Sequence, residues 1–221
     1  MSPDVKICGI KTLETLEAVI AAGASHFGMV FFPPSPRNIG LADAAMLAGT
    51  ARGRIVGVAL VVDPSDAEIE AIARAAAPDM IQLHGSETPE RAARIRALAG
   101  RPVIKAISVA AEGDADRAAA YSQAADLILF DARPPRDHTR PGGNGLAFDW
   151  SLIAPLKGRM RFMLSGGLTP DNVAEAIACT GAAMVDVSSG VERAPGEKDP
   201  LLIQKFVRAA HRPALEEIAH G

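Results

Sequence analysis

The residues that could do chemistry in this chain are few and far apart: Cys8, His84, Asp131 and Asp186, with Lys6 two residues before the cysteine. Thiol, imidazole and carboxyl groups exchange protons readily, and a thiolate can also attack carbon. Cys8 closes the apolar run Val5–Cys8 beside Gly9, and His84 closes Met80–His84. Asp131 closes Leu127–Asp131, and Asp186 lies within Met184–Val187. Side chains alternate between the two faces of a strand. Read that way, Val5 and Ile7, Ile81 and Leu83, Ile128 and Phe130, and Val185 and Val187 face one side. Lys6, Cys8, Gln82, His84, Asp131 and Asp186 face the other. Polar groups from four runs, mostly at their C-terminal ends, are the pattern of an assembled site. Lys6 and Asp186 are expected to pair with each other rather than react. His84 reads equally as a structural histidine or a substrate contact. Cys179, on a helical stretch, reads as a small buried hydrophobe. Cys8, His84 and Asp131 come from separate runs without close-spaced ligand pairs, so no metal site is expected.

Two glycine turns form the second group of candidates. Phe162–Leu164 stops at Ser165-Gly166-Gly167, and Met184–Val187 stops at Ser188-Ser189-Gly190. Bare backbone lets an anion come close, and the N–H groups of such turns suit a phosphate. Gly166, Gly167, Ser188 and Ser189 are therefore the phosphate candidates.

To bring these residues together, the runs must lie side by side. Short β-branched runs alternate with alanine-rich helical stretches from one end of the chain to the other. Strands are expected at Val5–Cys8, His26–Phe31, Ile55–Val62, Met80–His84, Val103–Ile107, Leu127–Asp131, Phe162–Leu164 and Met184–Val187. Helices are expected over Thr12–Ala22, from Leu41, after a Ser65/Glu68 capping box, from Thr88-Pro89, over Asp114–Ala124 and over Pro200–Ala210. A further helix is expected to begin at Thr169-Pro170, bury Val173, Ala174, Ile177 and Ala178, and end near Gly181. Eight strands alternating with helices predict an α/β chain forming a compact single-domain (β/α)8 barrel over residues 1–221, with 212–221 a short C-terminal tail. An open doubly wound sheet would usually need fewer strands. In such barrels the loops after strands seven and eight commonly hold a phosphate, and the reactive groups gather at the C-terminal strand ends. The proline- and glycine-rich segment Arg133–Phe148 is long enough to be a functional loop such as a lid.

Composition narrows the classes. The 221 residues carry a net charge of −3 and only 4% aromatics, so neither a basic footprint nor a base-stacking platform for nucleic acid is expected. No apolar run is long enough to span a membrane, and the N-terminus lacks the pattern of a signal peptide. Two cysteines make no disulfide framework. A cytoplasmic enzyme is the expectation.

Several motifs follow one another in a fixed order. They are Lys6-Ile7-Cys8-Gly9-Ile10, Phe31-Phe32 with Ser35-Pro36-Arg37, Gln82-Leu83-His84-Gly85 and Leu129-Phe130-Asp131. Then come Pro141-Gly142-Gly143 with Gly145, Phe148-Asp149-Trp150, Leu164–Leu168, Asp186–Glu192, and Pro195-Gly196 with Lys198-Asp199. Together they make the chain resemble the phosphoribosylanthranilate isomerases of tryptophan biosynthesis over nearly its whole length. Asn144 and Leu146 depart from the hydroxyl and lysine more usual in that glycine-rich loop. The resemblance implies an Amadori rearrangement of N-(5-phosphoribosyl)anthranilate, with the aspartate matching Asp131 as acid and the cysteine matching Cys8 as base. It assigns the anthranilate carboxylate to Arg37 and the phosphate to the backbone of the two glycine turns, with His84 and Asp186 also facing substrate. It implies no cofactor, a small phosphosugar as ligand, and a monomer or homodimer. An acid catalyst must hold its proton and the thiol must lose its own, so Lys6 is expected to favour the Cys8 thiolate, unless the reaction runs on a minority form. Two alternatives stay open: a barrel lyase or synthase with Lys6 or Lys105 as an imine-forming amine, and a non-catalytic phosphometabolite-binding barrel.

Overall fold

The computed structural model describes residues 2–132 and 149–212. Eight parallel strands close into a barrel in chain order: β1 (Asp4–Cys8), β2 (His26–Phe31), β3 (Val56–Val61), β4 (Met80–Leu83), β5 (Val103–Val109), β6 (Leu127–Ala132), β7 (Phe162–Leu164) and β8 (Met184–Val187). β8 pairs back onto β1, with Lys6 opposite Asp186. Helices pack on the outside: α1 (Leu13–Ala21), α2 (Leu41–Ala51), α3 (Asp66–Ala76), α4 (Pro89–Ala99) and α5 (Val173–Thr180). A short hairpin, β9 (Glu192–Ala194) and β10 (Glu197–Lys198), follows β8 and leads into the last helix, α6 (Pro200–Ala210).

The strand alternation sorts the core into two parts. Val5, Ile7, Phe130, Phe162 and Leu164 pack outward against helix residues such as Leu16 and Phe206. Ile81, Leu83 and Val103 do the same against Ile69, Ile72 and Ile95. Val58, Ile104, Ala106, Leu129, Met163 and Met184 fill the bore, which is a packed core and not a channel. Above them lie Cys8, Val30 and Leu60.

Local chemistry explains most element boundaries. The Ser65 hydroxyl accepts from the Glu68 amide while the Glu68 carboxylate accepts from the Ser65 amide, completing the expected capping box. Thr12 and Thr88 cap α1 and α4, and Pro89 takes the first turn of α4. Several readings need correction. Asp114–Tyr121 is a 3-10 segment, not an α-helix ending at Ala124. The Asp114 carboxylate accepts from the amides of Ala110 and Ala111, and the Tyr121 hydroxyl donates to the Glu87 carbonyl. Tethered at both ends, this segment uses the longer rise of 3-10 geometry, about 2.0 Å per residue against about 1.5 Å, to bridge the gap. The helix after β7 starts at Val173 and not at Pro170, because Asn172 staples the preceding turn. Its Oδ1 accepts from the Thr169 amide at 2.8 Å and its Nδ2 donates to the Gly167 carbonyl at 3.0 Å. That helix buries Val173, Ala176 and Thr180, while Ala174 and Ala178 are exposed. Cys179 is exposed rather than buried, since it follows the outward face of α5. The anticipated loop at 133–148 and the tail from 213 lie outside the described residues.

Candidate active site

Cys8 is the last residue of β1 and is almost fully buried at the top of the bore. Its space is made by a glycine on the neighbouring strand. A Cβ on Gly28 would sit 2.9 Å from Cys8 Sγ and 3.1 Å from Lys6 Nζ. Lys6, fully buried below the thiol, donates to Asp186 Oδ1 at 2.9 Å. Burial works to discharge Lys6, but Asp186 and then Cys8 outweigh it and hold its pKa above the ordinary value. For Cys8, burial pushes the thiol above its ordinary pKa of 9.0, Asp186 adds to this, and Lys6 and Lys198 oppose it without prevailing. Lys6 does favour the thiolate, as expected, but burial outweighs it and leaves the thiol above its ordinary pKa.

Asp131 lies on β6, three strands around the ring from β1. Its Oδ2 is 3.0 Å from His84 Nε2, and His84 Nδ1 is 3.1 Å from Gln82 Nε2. All three side chains are buried. With the amide placed so that Gln82 donates to Nδ1, the His84 proton sits on Nε2 and is donated to an Asp131 carboxylate. Gln82 Oε1 then has no hydrogen-bond partner. Turning the amide over would put Oε1 on a protonated Nδ1 and leave Nε2 to accept from a protonated Asp131. The row thus accommodates the aspartate with or without its proton.

Arg37, in the loop after β2, is nearly buried. Its Nε donates to Glu192 Oε1 at 2.7 Å and its Nη2 to Glu192 Oε2 at 2.8 Å, a two-point ion pair. The same carboxylate accepts from Lys198 Nζ at 2.7 Å. Lys198 also donates to the Ser188 carbonyl at 2.9 Å and to Ser188 Oγ at 3.2 Å. Ser188 Oγ in turn donates to the Cys8 carbonyl at 3.0 Å. Burial lowers the Lys198 pKa to about 8 against the pull of Glu192. Burial acts to raise Glu192, yet Arg37 and Lys198 prevail and hold it below the ordinary glutamate value.

The two glycine turns meet beside Cys8. Gly166 and Gly167 have φ of 92° and 65°, in the left-handed region that favours glycine. A Cβ on Gly190 would fall 1.9 Å from the Leu168 carbonyl oxygen, so the turns after β7 and β8 touch backbone to backbone. Residues 165–167 and 188–190 are half-buried. Lys105, by contrast, faces away from the bore and pairs with buried Glu87 at 2.7 Å. Among the described residues, no group of three or more His, Cys, Asp or Glu could hold a metal ion.

Sequence reading missed Glu192 and Lys198 as parts of the site, although both fall in its motifs. The Pro195-Gly196 turn between them was the available signal, since it brings two residues six apart onto one short hairpin.

A closed barrel with a thiol, a carboxyl group and glycine turns at the C-terminal strand ends defines an acid–base enzyme of the (β/α)8 class. A profile of the N-(5'-phosphoribosyl)anthranilate (PRA) isomerase family matches residues 5–209. The N-(5'-phosphoribosyl)anthranilate isomerase of Rhodopseudomonas palustris (strain BisB5) is 55% identical over 218 residues, covering 99% of each chain. The phosphoribosyl anthranilate isomerase of Thermotoga maritima superposes with a TM-score of 0.85 at 38% identity, covering 94% of this chain and 98% of that one. A phosphoribosyl anthranilate isomerase solved in complex with reduced 1-(o-carboxyphenylamino)-1-deoxyribulose 5-phosphate gives 0.82 at 36% identity, over 94% and 98%. The chain belongs to the phosphoribosylanthranilate isomerase family.

Proposed function

We propose that the chain isomerises N-(5'-phosphoribosyl)anthranilate, a step of tryptophan biosynthesis, with Asp131 as general acid and Cys8 as general base. The observation that carries this reading is the placement of these two buried groups on β6 and β1. Asp131 delivers a proton to the ribose ring oxygen, the C1'–O bond breaks, and the nitrogen lone pair completes an iminium ion. The Cys8 thiolate then removes the proton from C2'. The C–H electron pair becomes the C1'=C2' bond and the iminium electrons return to nitrogen. The resulting enolamine tautomerises to the ketone, so C1' is reduced as C2' is oxidised and no external electron carrier takes part. His84 and Gln82 steady Asp131 through both of its protonation states. Arg37 takes the anthranilate carboxylate, and the backbone of Gly166, Gly167, Ser188 and Ser189 takes the phosphate, whose charge suits N–H groups bared at glycine turns. Asp186 serves below the thiol as the counter-charge of Lys6.

The complex of the related isomerase with a reduced phosphoribulose derivative supports a phosphosugar as the ligand. We further read the chain as one domain acting in the cytoplasm as a monomer or homodimer. No helix among the described residues is long and apolar enough to cross a membrane. The lyase alternative loses ground because Lys6 and Lys105 are both buried in ion pairs. The test is to generate phosphoribosylanthranilate in situ, add the protein, and follow its fluorescence. Rapid loss of fluorescence is expected. Binding without loss would leave a carrier, and a borohydride-trapped imine on Lys6 or Lys105 would restore the lyase reading.

A further inference from the structure

Arg37 and Cys8 come from different strand ends, yet an unbroken row of hydrogen bonds joins them. It runs from the Arg37 guanidinium to Glu192, from Glu192 to Lys198, from Lys198 to Ser188, and from the Ser188 hydroxyl to the Cys8 carbonyl. Every side chain in it apart from the serine is close to fully buried. The hairpin that supplies Glu192 and Lys198 is seated on the loop that supplies Arg37. Gly196 has φ of 82°, and a Cβ there would lie 2.6 Å from the Pro36 carbonyl oxygen. The Gly196 amide donates to Glu192 Oε2 at 3.2 Å, which fixes the second oxygen that Arg37 Nη2 uses. On the other side, a Cβ on Gly9 would sit 2.7 Å from Arg37 Cδ, so the residue after Cys8 packs directly against the arginine stem.

We propose that Glu192 and Lys198 are positioning residues, which set the guanidinium plane of Arg37 and lock it in register with Cys8. This rests on the reading of Arg37 as the carboxylate grip. The physical case is one of distance and direction. Arg37 binds one end of the substrate and Cys8 must reach a hydrogen at its middle, so an error in their relative placement spoils the attack geometry. A displacement of about 1 Å costs up to roughly 100-fold in rate. A long arginine side chain held by one contact would swing. Held at Nε and Nη2 by one carboxylate, it has a single plane. Lys198 keeps that carboxylate from turning and carries its position to Ser188. The Ser188 hydroxyl gives its only proton to the Cys8 carbonyl. Its side chain is thus a strut, and any contact it makes with phosphate must come from its amide.

The test compares Glu192→Gln, Lys198→Met, the double variant and Arg37→Ala, each by kcat, KM and the inhibition constant for inorganic phosphate. Glu192→Gln keeps the shape and removes the charge. It is expected to lower kcat/KM at least about tenfold as the attack geometry is lost, with KM rising as the grip on the carboxylate loosens, while leaving phosphate inhibition within twofold of the parent. A variant merely less well folded would lower kcat per mole of protein and leave KM alone. Because the two residues act as one unit, the double variant should cost no more than the worse single variant. Should Glu192→Gln fold poorly, Glu192→Asp keeps the charge but shortens the reach, and should show the same rise in KM. A KM unchanged in whichever of these variants folds overturns the proposal, as do single-variant costs that multiply in the double. Arg37→Ala separates the causes. If it raises KM while the Glu192 variants do not, only the positioning role falls. If it too leaves KM unchanged, the reading of Arg37 itself is wrong.

Discussion

At the scale of single residues, the proposed base, Cys8, sits in surroundings that resist its ionisation. Burial holds the Cys8 thiol above its ordinary pKa, so at neutral pH the thiolate is a minority form, and a correspondingly strong base. Iodoacetamide should therefore modify Cys8 slowly at pH 7 and about tenfold faster per pH unit up to and beyond pH 9. Mapping the modified peptide across that range checks this, and a rate that levels off near pH 7 would mean a thiol of depressed pKa. Arg37 should behave as a charge partner. Arg37→Ala is expected to weaken binding of a reduced product analogue by roughly 2–5 kcal/mol, read by calorimetry, with unchanged affinity contradicting the assignment. The inward set of Lys6, Cys8, Gln82, His84, Asp131 and Asp186 was legible because strand alternation alone puts those side chains on one face. Glu192 and Lys198 were not legible as partners of Arg37. The Pro195-Gly196 turn marks their hairpin, but where that hairpin packs, against a loop more than 150 residues earlier, is not encoded locally.

At the scale of elements, the turns after β7 and β8 work as a unit because Gly190 lets the Leu168 carbonyl lie against it. Gly190→Ala must force that carbonyl away and separate the turns. It should raise KM and weaken inhibition by inorganic phosphate in parallel, and kinetic assays that leave both unchanged would detach these turns from phosphate binding. The strands were readable nearly to the residue, since β-branched runs bounded by Gly, Pro and capping residues leave few choices. Two helices were misread for a common reason: side chains reaching out of the element decided its form. Asp114 and Tyr121 stretch one segment into 3-10 geometry, and Asn172 ties up the turn where Thr169-Pro170 had the local look of a helix start. The buried side of α5 was misplaced because small alanines mark neither face strongly.

At the scale of the whole molecule, the buried hairpin lysine links the site to stability. The folded chain releases the Lys198 proton near pH 8, whereas the unfolded chain keeps it to about 10.5. Between those values the unfolded state binds more protons, so this lysine makes stability rise with pH, by at most about 1.4 kcal/mol per pH unit. Below pH 8 both states are protonated and the contribution is flat. Cys8 acts with the opposite sign, but only above pH 9.0, where the unfolded thiol ionises and the folded one does not. Denaturant titrations between pH 8 and 9 should therefore show stability rising in the parent relative to Lys198→Met. A difference that is flat or falls across that window would place the titration elsewhere.

On the proposed mechanism, Cys8 on β1 and Asp131 on β6 move the protons of one isomerisation. The most direct measurement is the turnover of phosphoribosylanthranilate by Cys8→Ala and by Asp131→Asn, each paired with a titration of the reduced product analogue. Loss of general acid or general base catalysis should lower kcat by about 100-fold to 10,000-fold, with analogue affinity close to that of the parent. Near-parental kcat in either variant would contradict the account and move that role to another group, with His84 the first to examine.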